Sequence, residues 1–548
     1  MISGGKAMID CLRREGIPYV FGIPGTQNLG VIDALRDAPD VRFILTRHEQ
    51  GAAFMAYGFG RASGRPGVVT ATEGPGVTNL ATPVSAAYKG FVPMITITGT
   101  QEEAIRERDT SQEIDQLSFL RPITKWAYAI PTAHKVQEAL RKAFRIALAD
   151  PYGPAHVEAS REVWVGETES EPWEPASYRP MTRPECSPAQ LDQAARLLAE
   201  AERPVFLAGT GVLHEQATEA MVRLAEQTGI PVATLAYAID AFPTGHPLAL
   251  GAIGRNGSSS ANRTVPRADL IIAVGARFDL LSTGFKYGVI SPEARIIQHS
   301  AAANQIGVVF PVALGVSGST TSFIEGLAER AARGGRRWEW GEVEKVRAEW
   351  DAERQAQVRD DVEPILPPFV AHTIRKVLPR NGVIVTDAGN AAKHMRVHFE
   401  AYEPVTFMYT DEWGSVGCGL PTGMGVKLAR PDRPVVCVEG DMGMMCNIGE
   451  LETAVRENIP VVCVIFNDQG LGNERAWQRE LYGGRIFGVD YRNPDFGALA
   501  RVFGAHGEQV EHPGDLEPAL RRALDSGKPA VVDVIIDQET LAPVVFKG

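Results

Sequence analysis

Short apolar runs alternate with amphipathic stretches along almost the whole chain. Runs such as 435–438 and 461–466 have the length of buried strands, and apolar residues between such runs recur at helical spacing. Parallel neighbours in a sheet need a crossover connection, which is usually a helix, so this alternation is typical of parallel sheets. The pattern therefore predicts an α/β protein built from doubly wound parallel sheets.

The alternation divides into three blocks, at residues 1–166, 189–335 and 365–548. Segment 167–188 is rich in Pro, Glu, Ser and Thr, as is typical of a linker, and the charged segment 333–359 predicts a connecting helix. We therefore expect three domains. The predicted strands are 19–21, 43–45, 67–71, 94–98 and 155–158 in the first block, 204–207, 231–233, 270–274 and 295–298 in the second, and 383–386, 435–438, 461–466 and 530–536 in the third.

The 548 residues carry a formal net charge of −12 and no basic block, which argues against nucleic acid or an anionic membrane as a partner. The six cysteines include no Cys-x-x-Cys pair, as expected for reduced thiols. No apolar run reaches the roughly 20 residues of a membrane span, and the N-terminus lacks the pattern of a signal peptide. We therefore expect a cytoplasmic protein without nucleic-acid or membrane partners.

Acidic residues follow two of the predicted strands in the third block. Asp441 comes after the run 435–438, and Asp468 comes after the run 461–466, 27 positions further along. That distance accommodates a crossover helix, so both carboxylates are expected at one edge of a sheet, where α/β folds bind ligands. Carboxylates beside a Gly-rich turn suit a magnesium ion that carries a phosphorylated cofactor. The alternative is a pair of strand-end acids that cap helices.

Two segments of the first block also combine a strand end with polar or flexible residues. His48-Glu49 opens a predicted helix, where Glu49 either satisfies free N–H groups or faces a ring nitrogen of a buried ligand. Gly74-Pro75-Gly76 forms a turn that lets the backbone approach a ligand, although such turns are common. Each segment alone is a weak signal.

Together, the segments 48–49, 74–76 and 440–468 resemble those of thiamine diphosphate enzymes in residue type, order and spacing. The resemblance covers nearly the whole chain. It points to the acetolactate synthase large-subunit branch through the segments 47–53, 121–125 and 275–279. It implies a pyrimidine-binding domain at 1–166, a central Rossmann-like domain at 189–335, and a domain for thiamine diphosphate and magnesium at 365–548.

The resemblance assigns roles to individual residues. Glu49 would bond the cofactor's aminopyrimidine, which promotes loss of the thiazolium C2 proton and gives the ylid that attacks a carbonyl. Asp441, Asp468 and the backbone carbonyl of Gly470 would hold Mg²⁺, and Val416 would bend the cofactor. The implied catalytic residues are Glu49 and Gln112; the other implied cofactor contacts are Pro24, Gly25, Thr72, Gly74, Pro75, Asn79, Gly389, Asn390, Ser415, Gly440, Met442, Gly443 and Leu471; the implied substrate pocket comprises Gln27, Glu73, Ser111, Met395 and Trp477.

The chain departs from the family pattern at several positions. Met442 replaces a glycine, and Asp468 replaces an asparagine but keeps an oxygen ligand. Leu281 stands where the family has an arginine suited to grip a second substrate's carboxylate. Segment 299–302 lacks the acids that help to hold FAD, which speaks against FAD, although 251–257 still resembles the flavin loop.

The resemblance implies a decarboxylase or carboligase acting on a 2-oxo acid or acyl substrate. It also implies a homodimer or homotetramer with active sites between subunits. An alternative within the family is a 2-hydroxyacyl-CoA lyase or a sulfoacetaldehyde acetyltransferase-like C–C lyase. An alternative of another class is a catalytically silent member that binds only cofactor or a partner protein. The presence of Glu49, Asp441 and Asp468 favours an enzyme.

Overall fold

Three six-stranded sheets form the framework of the chain, and neighbouring strands within each sheet run parallel. The computed structural model describes residues 1–171, 173–331, 338, 340–410 and 412–542. A short antiparallel pair of strands lies outside the three sheets. The predicted α/β fold with three parallel sheets is confirmed.

The first sheet is built from the N-terminal third of the chain. The strands here are β1 (Ile2–Ser3), β2 (Tyr19–Gly22), β3 (Arg42–Leu45), β4 (Gly67–Ala71), β5 (Met94–Thr100), β6 (Trp126–Ala129), β7 (Pro154–Ser160) and β8 (Glu167–Thr168). The helices are α1 (Gly4–Arg14), α2 (Leu29–Arg36), α3 (Glu49–Ser63), α4 (Pro75–Asn79), α5 (Ala81–Gly90), α6 (Gln116–Leu120), α7 (Val136–Ala147) and α8 (Arg161–Val165). The sheet order is β3-β2-β4-β5-β7-β6, and β1 pairs with β8.

The second sheet occupies the middle of the chain. Its strands are β9 (Pro204–Ala208), β10 (Val232–Thr234), β11 (Ala249–Ala252), β12 (Leu270–Val274), β13 (Arg295–Ser300) and β14 (Leu314–Ser317). The helices are α9 (Pro188–Glu200), α10 (Thr210–His214), α11 (Thr218–Thr228), α12 (Ser259–Thr264), α13 (Leu280–Thr283), α14 (Thr320–Arg330) and the connecting α15 (Trp340–Gln357). The sheet order is β11-β10-β9-β12-β13-β14. The predicted connecting helix agrees with α15; its positions 333–337 and 339 lie outside the described residues.

The third sheet is built from the C-terminal third. Its strands are β15 (Val383–Thr386), β16 (Phe407–Met408), β17 (Val435–Gly440), β18 (Val462–Asn467), β19 (His506–Val510) and β20 (Ala530–Ile535). The helices are α16 (Pro367–Val377), α17 (Asn390–His398), α18 (Gly419–Ala429), α19 (Asp441–Asn447), α20 (Glu450–Arg456), α21 (Gly472–Leu481), α22 (Phe496–Phe503) and α23 (Pro513–Asp525). The sheet order is β16-β15-β17-β18-β20-β19.

The first and third sheets share one topology. When the six strands of each sheet are numbered along the chain, both orders read 2-1-3-4-6-5, whereas the second sheet reads 3-2-1-4-5-6. In such sheets, ligands bind beyond the carboxyl ends of the strands where the order reverses. The reversal lies between β2 and β4 in the first sheet and between β15 and β17 in the third. The loops after these strands carry many of the predicted site residues.

One hydrophobic core joins the first and third sheets through α3 and α18. The two helices pack so closely that a Cβ on Gly58 would lie 2.1 Å from the Thr422 carbonyl oxygen. A Cβ on Gly425 would lie 2.0 Å from the Met55 carbonyl oxygen. Glycine therefore sets the distance between the helices, and with it the relative position of the two sheets. Among the described helices, none has the length and apolar character that a bilayer span requires.

Candidate active site

A cavity opens beside the loops that follow β15, β17 and β18. It lies at the carboxyl edge of the third sheet, where the sequence places the metal and diphosphate contacts. The predicted residues that line it are Gly389, Asn390, Val416, Gly440, Asp441, Met442, Gly443, Asp468, Gly470, Leu471 and Trp477. The structure therefore brings these separate segments to one site.

The two acids predicted as metal ligands face this cavity and are almost fully enclosed. Asp441 is 1% exposed and Asp468 is 8% exposed. Burial raises the pKa of both carboxyls, and the charge of Asp441 contributes to raising the pKa of Asp468 to about 7. The guanidinium of Arg475 lies 3.4 Å from Asp468 and only partly offsets this effect. A divalent cation would stabilise such a pair of mutually repelling acids.

Two of the three predicted metal ligands, Asp441 and the Gly470 carbonyl, contact the same group, which is the hydroxyl of Tyr491. Its hydroxyl lies 2.9 Å from Asp441 Oδ1 and 3.0 Å from the carbonyl oxygen of Gly470. Asn493 Nδ2 donates to the other carboxylate oxygen of Asp441 at 2.6 Å. Tyr491 and Asn493 thus orient Asp441. Sequence reasoning missed them because they come from the loop after α21, which carries no recognisable motif.

Met442, the departure from the glycine of the family pattern, does not disturb the turn. It lies in α19, which begins at Asp441, and its N–H donates to Asp441 Oδ1 at 2.8 Å. The close approach falls instead on Gly443, where a Cβ would lie 2.0 Å from Asp387 Oδ2. A side chain is therefore accommodated at position 442 but not at position 443.

The loop that carries Val416 is fixed by Asp387, just after β15. The Asp387 carboxylate accepts hydrogen bonds from the N–H groups of Gly417 at 2.8 Å and Cys418 at 3.1 Å. Val416 lines the cavity and remains 44% exposed. Ser415 does not line the cavity, but its buried hydroxyl has no hydrogen-bond partner among the described residues. The loop thus holds an apolar side chain and an unsatisfied hydroxyl beside the cavity.

Met395, a predicted substrate-pocket residue, is not among the residues that line this cavity. Met395 is fully buried in the hydrophobic core of the third sheet. On α17 it follows Asn390 by five positions, which places it about 140° further around the helix, whereas Lys393 is within about 60° of Asn390. Lys393 therefore reaches the cavity wall in its place. Helical periodicity in the sequence carries this signal, because residues three apart share a helix face and residues five apart do not.

The second block also contributes to the cavity wall, through Arg255. The guanidinium carbon lies 5.6 Å from the centre of the Trp477 ring, and Trp477 is half-buried rather than enclosed in a core. The backbone N–H of Arg255 donates to the Leu281 carbonyl oxygen at 2.9 Å. The backbone of Arg255 therefore lies beside Leu281, where the sequence lacks the family arginine, while its guanidinium reaches Trp477. The predictions from sequence did not include it.

Glu49 is the first residue of α3, but other side chains accept hydrogen bonds from backbone N–H groups near the start of that helix. The His48 imidazole accepts the N–H of Gln50 at 3.0 Å, and the buried Glu450 accepts the N–H of His48 at 3.0 Å. The Glu49 carboxylate accepts a hydrogen bond from Asn79 Nδ2 at 2.9 Å. Among the described hydrogen bonds, the Glu49 carboxylate thus bonds a side chain rather than a backbone N–H group, and its role toward a ligand stays a prediction.

The loops after β2 and β4 meet the loop after β5 around Thr72 and Gly74. The Thr72 hydroxyl donates to Gln27 Oε1 at 2.7 Å. A Cβ on Gly74 would lie 2.3 Å from the carbonyl oxygen of Gln112, which is exposed and adopts a φ of 74°. Ser111 is exposed in the same loop. The structure therefore gathers the predicted first-block residues into a second group, which also includes Pro24, Gly25, Pro75 and Asn79.

Glu73 lies beneath this group of loops rather than at an open pocket. It is 1% exposed, and its carboxylate accepts the N–H of Gln101 at 3.3 Å. Its second oxygen has no hydrogen-bond partner among the described residues, and burial raises its pKa to about 6. Glu73 is thus an enclosed acid close to Ser111, whose carbonyl oxygen accepts from Gln101 Nε2 at 3.1 Å.

The predicted residues form two separate groups within one chain. In the described part of the chain, Glu49 and the first-block loops do not line the cavity of the third sheet. Each group lies at the carboxyl edge of one of the two sheets that share a topology. A site that uses both groups needs the first sheet of one chain to face the third sheet of another.

A further crevice lies near the order reversal of the second sheet, where a nucleotide would bind in this type of sheet. Ser300 and Ala301 line it without offering a carboxylate. Its two acids, Asp150 and Glu215, are engaged by Arg183 at 2.6 and 3.4 Å. A dinucleotide site commonly uses an acid without such a partner to bond the ribose, so the residues of this crevice do not fit FAD.

The residues around the third-sheet cavity fit a magnesium diphosphate. Among the described residues, no three His, Cys, Asp or Glu side chains cluster as a metal site. Mg²⁺ needs fewer protein ligands, because one or two carboxylates, phosphate oxygens and water complete its shell. Asp441, Asp468 and the Gly470 carbonyl would supply the protein share. The starts of α17 and α21 line the cavity and would supply N–H groups to the phosphates.

Comparison with known protein families agrees with this geometry. Residues 2–119 match the N-terminal TPP binding domain of thiamine pyrophosphate enzymes. Residues 191–327 match the central domain, and residues 387–534 match the C-terminal TPP binding domain. The three matches follow one another along the chain in the order that the sequence resemblance implies.

Full-length relatives support the same assignment. A probable acetolactate synthase large subunit from Methanocaldococcus jannaschii is 36% identical over all of this chain and 94% of the relative. The acetolactate synthase isozyme 2 large subunit of Escherichia coli is 31% identical over all of this chain and 98% of the relative. A sulfoacetaldehyde acetyltransferase from Castellaniella defragrans is 31% identical over 98% of this chain and 94% of the relative. The resemblance found in the sequence is confirmed, and the chain belongs to the thiamine pyrophosphate enzyme family, in its acetolactate synthase-like branch.

Proposed function

We propose that this chain is a decarboxylase and carboligase that uses thiamine diphosphate and Mg²⁺ to act on a 2-oxo acid. As a family member it is an enzyme that forms or cleaves C–C bonds. The observation that carries the proposal is the enclosed pair Asp441 and Asp468, with the Gly470 carbonyl directed to the same point as Asp441. The bound cofactor would supply the electron sink that lets a carboxylate leave as CO2.

The residues of the third sheet would bind and orient the cofactor. Asp441, Asp468 and the Gly470 carbonyl would hold the metal, while the helix start at Asn390 would donate to the diphosphate. Val416, whose loop is held by Asp387, would support the cofactor's bent shape. The apolar residues of the cavity wall would exclude water.

Glu49 would act from a second copy of the chain. Its carboxylate is held by Asn79 and lies away from the cavity of its own chain. A homodimer, or a homotetramer built from such dimers, would place Glu49 of one chain at the aminopyrimidine bound by the other. There it would hold the proton that the ring must exchange.

Substrate binding would combine residues of both chains. Arg255, stacked on Trp477, would bind the carboxylate of the second substrate in place of the arginine that Leu281 replaces. Gln27, Ser111 and Gln112 would approach from the first block of the other chain. This arrangement favours an acceptor with an anionic group.

Turnover of a sulfonated aldehyde in place of a 2-oxo acid is a second candidate. It is favoured by the relative from Castellaniella defragrans, which is a sulfoacetaldehyde acetyltransferase. Arg255 would serve either reaction, because a guanidinium binds a sulfonate as well as a carboxylate. The two candidates differ in the substrate that the enzyme consumes.

A panel of small 2-oxo acids, together with sulfoacetaldehyde, tests the proposal. We expect release of CO2 from at least one 2-oxo acid, dependent on both thiamine diphosphate and Mg²⁺, and a C–C-coupled product. Consumption of sulfoacetaldehyde without CO2 release would favour the second candidate. Cofactor binding without turnover of any substrate on the panel would contradict both.

A further inference from the structure

We propose that Lys393 binds the diphosphate of the cofactor directly, as an additional contact. The inference rests on the proposed function, because it takes thiamine diphosphate as the ligand of the third-sheet cavity. Lys393 was not among the residues assigned from the family resemblance. It emerges only from its position on the cavity wall.

The position of Lys393 places its ammonium at the metal end of the cavity. Lys393 is one turn after Asn390 on α17, is 3% exposed and lines the cavity, where its ammonium contacts Asn473 Oδ1. Asn473 follows Gly472, whose Cβ position lies 2.4 Å from Asp468 Oδ2 and 3.5 Å from Asn390 Cβ. The ammonium therefore lies where the predicted metal ligand Asp468 and the start of α17 converge.

The charges at this end of the cavity favour a diphosphate there. Mg²⁺ would offset Asp441 and Asp468, so the negative charge of the diphosphate needs further positive charge from the protein. Among the described residues lining the cavity, the cations are Lys393 and Arg255, and Arg255 lies half-buried against Trp477. Helix N-termini contribute only about half a unit charge each. Lys393 therefore supplies a full positive charge on the cavity wall, one turn after the start of α17.

Asn473 gives the ammonium a fixed position. Its Oδ1 accepts from Lys393, and its Nδ2 donates to Glu474 Oε1 at 2.8 Å. A neutral amide orients the ammonium without cancelling its charge. Glu474 is exposed at the outer part of the wall, so its carboxylate is hydrated while Lys393 is enclosed. The side chain is thus held in place before the cofactor binds.

Calorimetric titration of the full-length protein tests this contact by binding rather than by turnover. The variants are Lys393→Met and Lys393→Arg, and the exposed Lys376→Met on α16 is the matched control. The probes are thiamine diphosphate with Mg²⁺ and thiamine without phosphate. We expect Lys393→Met to weaken diphosphate binding about 10- to 100-fold, since a hydrogen bond between charged groups is lost. Binding of thiamine is expected to change less than twofold.

The other variants separate charge from structure. Lys393→Arg should recover most of the affinity, and Lys376→Met should match the wild type. Methionine is apolar and similar in length, so the midpoint of thermal unfolding should not fall in Lys393→Met. Unchanged diphosphate affinity in Lys393→Met, or equal losses for both probes, would overturn the contact while leaving the proposed cofactor in place. Absence of thiamine diphosphate binding by the wild type would instead overturn the proposed function.

Discussion

At the scale of single residues, the site is defined by carboxyl groups whose surroundings differ. Asp441 and Asp468 are enclosed at one sheet edge, where burial raises the pKa of each. Glu49 is half-buried and is held by one amide from Asn79. The paired carboxylates of Asp441 and Asp468 suit a divalent metal ion, which binds negatively charged oxygen ligands. The single carboxylate of Glu49 suits a proton shared with a ring nitrogen. Surroundings, rather than residue type, separate the proposed roles.

Replacing Glu49 with Gln tests the role of this carboxylate. Gln keeps an oxygen that accepts from Asn79, so the fold and cofactor affinity should be retained within a few-fold. It cannot hold the proton, so CO2 release from a 2-oxo acid should fall about 100- to 10,000-fold, the usual range for a general acid–base group. Steady-state CO2 release and calorimetric cofactor affinity check both parts. Near-full activity in Glu49→Gln would reduce Glu49 to a structural residue.

The buried acid Asp240 makes stability depend on pH. Burial raises its pKa from 3.8 to about 6 in the folded protein. Between these values the unfolded chain loses its proton first, so folding stability due to this group falls as pH rises from about 4 to about 6. At about 1.4 kcal/mol per pKa unit, the loss is on the order of 3 kcal/mol.

Asp240 accepts hydrogen bonds from the N–H groups of Thr406 and Phe407 at 3.0 and 3.2 Å. Replacing Asp240 with Asn keeps an oxygen for these two bonds but removes the titrating group. Thermal unfolding at pH 4 and pH 7 should therefore show the variant gaining stability relative to the wild type at pH 7. A constant difference between the two proteins over this range would show that Asp240 is not perturbed.

The candidate site was predictable from sequence where residues directly follow an apolar strand. Asp441 and Asp468 are of this kind, because the carboxyl ends of parallel strands necessarily meet at one edge. Tyr491 and Arg255 were not predictable in this way. Tyr491 reaches Asp441 from a loop and Arg255 reaches the cavity from the second block, and both positions depend on tertiary packing. Met395 lies in the hydrophobic core because its position on α17 turns it away from the side that carries Asn390.

At the scale of secondary structure, α3 and α18 determine how the first and third sheets meet. Both helices are rich in Gly and Ala on the packed side, and backbone of one lies against backbone of the other at Gly58 and Gly425. Such close packing leaves no space for a methyl group. The start of α3, at Glu49, is thereby fixed relative to the third sheet.

Replacing Gly58 with Ala should therefore destabilise the fold, despite the better helix propensity of Ala. The new Cβ would lie 2.1 Å from the Thr422 carbonyl oxygen, so the helices must separate, at a cost of about 1–3 kcal/mol. Gly514→Ala in α23 is the control, because no atom lies within 4 Å of its Cβ position. A lower midpoint of thermal unfolding for Gly58→Ala alone would support the packing. Equal midpoints in the two variants would contradict it.

The strands show which elements the apolar pattern can reveal. Within the three sheets, the sequence did not predict β6, β11, β14, β16 or β19, and each of these lies at a sheet edge. Edge strands are covered by neighbours on fewer sides, so they need fewer apolar residues; all four residues of β6, for example, are only half-buried. Central strands such as β4 and β18 are buried throughout and were predicted.

At the scale of the whole molecule, the first and third sheets are two copies of one topology with different chemistry at the same edge. The first carries Glu49 and the loops around Thr72 and Gly74, and the third carries Asp441, Asp468 and the cavity. The strand order that establishes the shared topology is visible only in the structure. In a pair of chains related by two-fold symmetry, the first sheet of each chain would face the third sheet of the other chain, which would give two equivalent sites.

Mixed dimers test whether the active site is shared between chains. Glu49→Gln and Asp441→Ala should each be inactive as homodimers. A heterodimer purified with two different affinity tags should recover about half of the wild-type activity, because one of its two sites keeps both native residues. Homodimers mixed without exchange of subunits are the control. No recovery in the heterodimer would place the complete site within one chain.

The most direct measurement is calorimetric titration of the purified wild-type protein with thiamine diphosphate, in Mg²⁺ and in EDTA, repeated with Asp468→Ala. We expect one cofactor to bind per chain in Mg²⁺, with affinity reduced at least about 100-fold in EDTA, because the diphosphate is held mainly through the metal. Asp468→Ala should resemble the wild type in EDTA. Absence of binding by the wild type in Mg²⁺, or equal binding with and without the metal, would contradict a magnesium diphosphate site at Asp441 and Asp468.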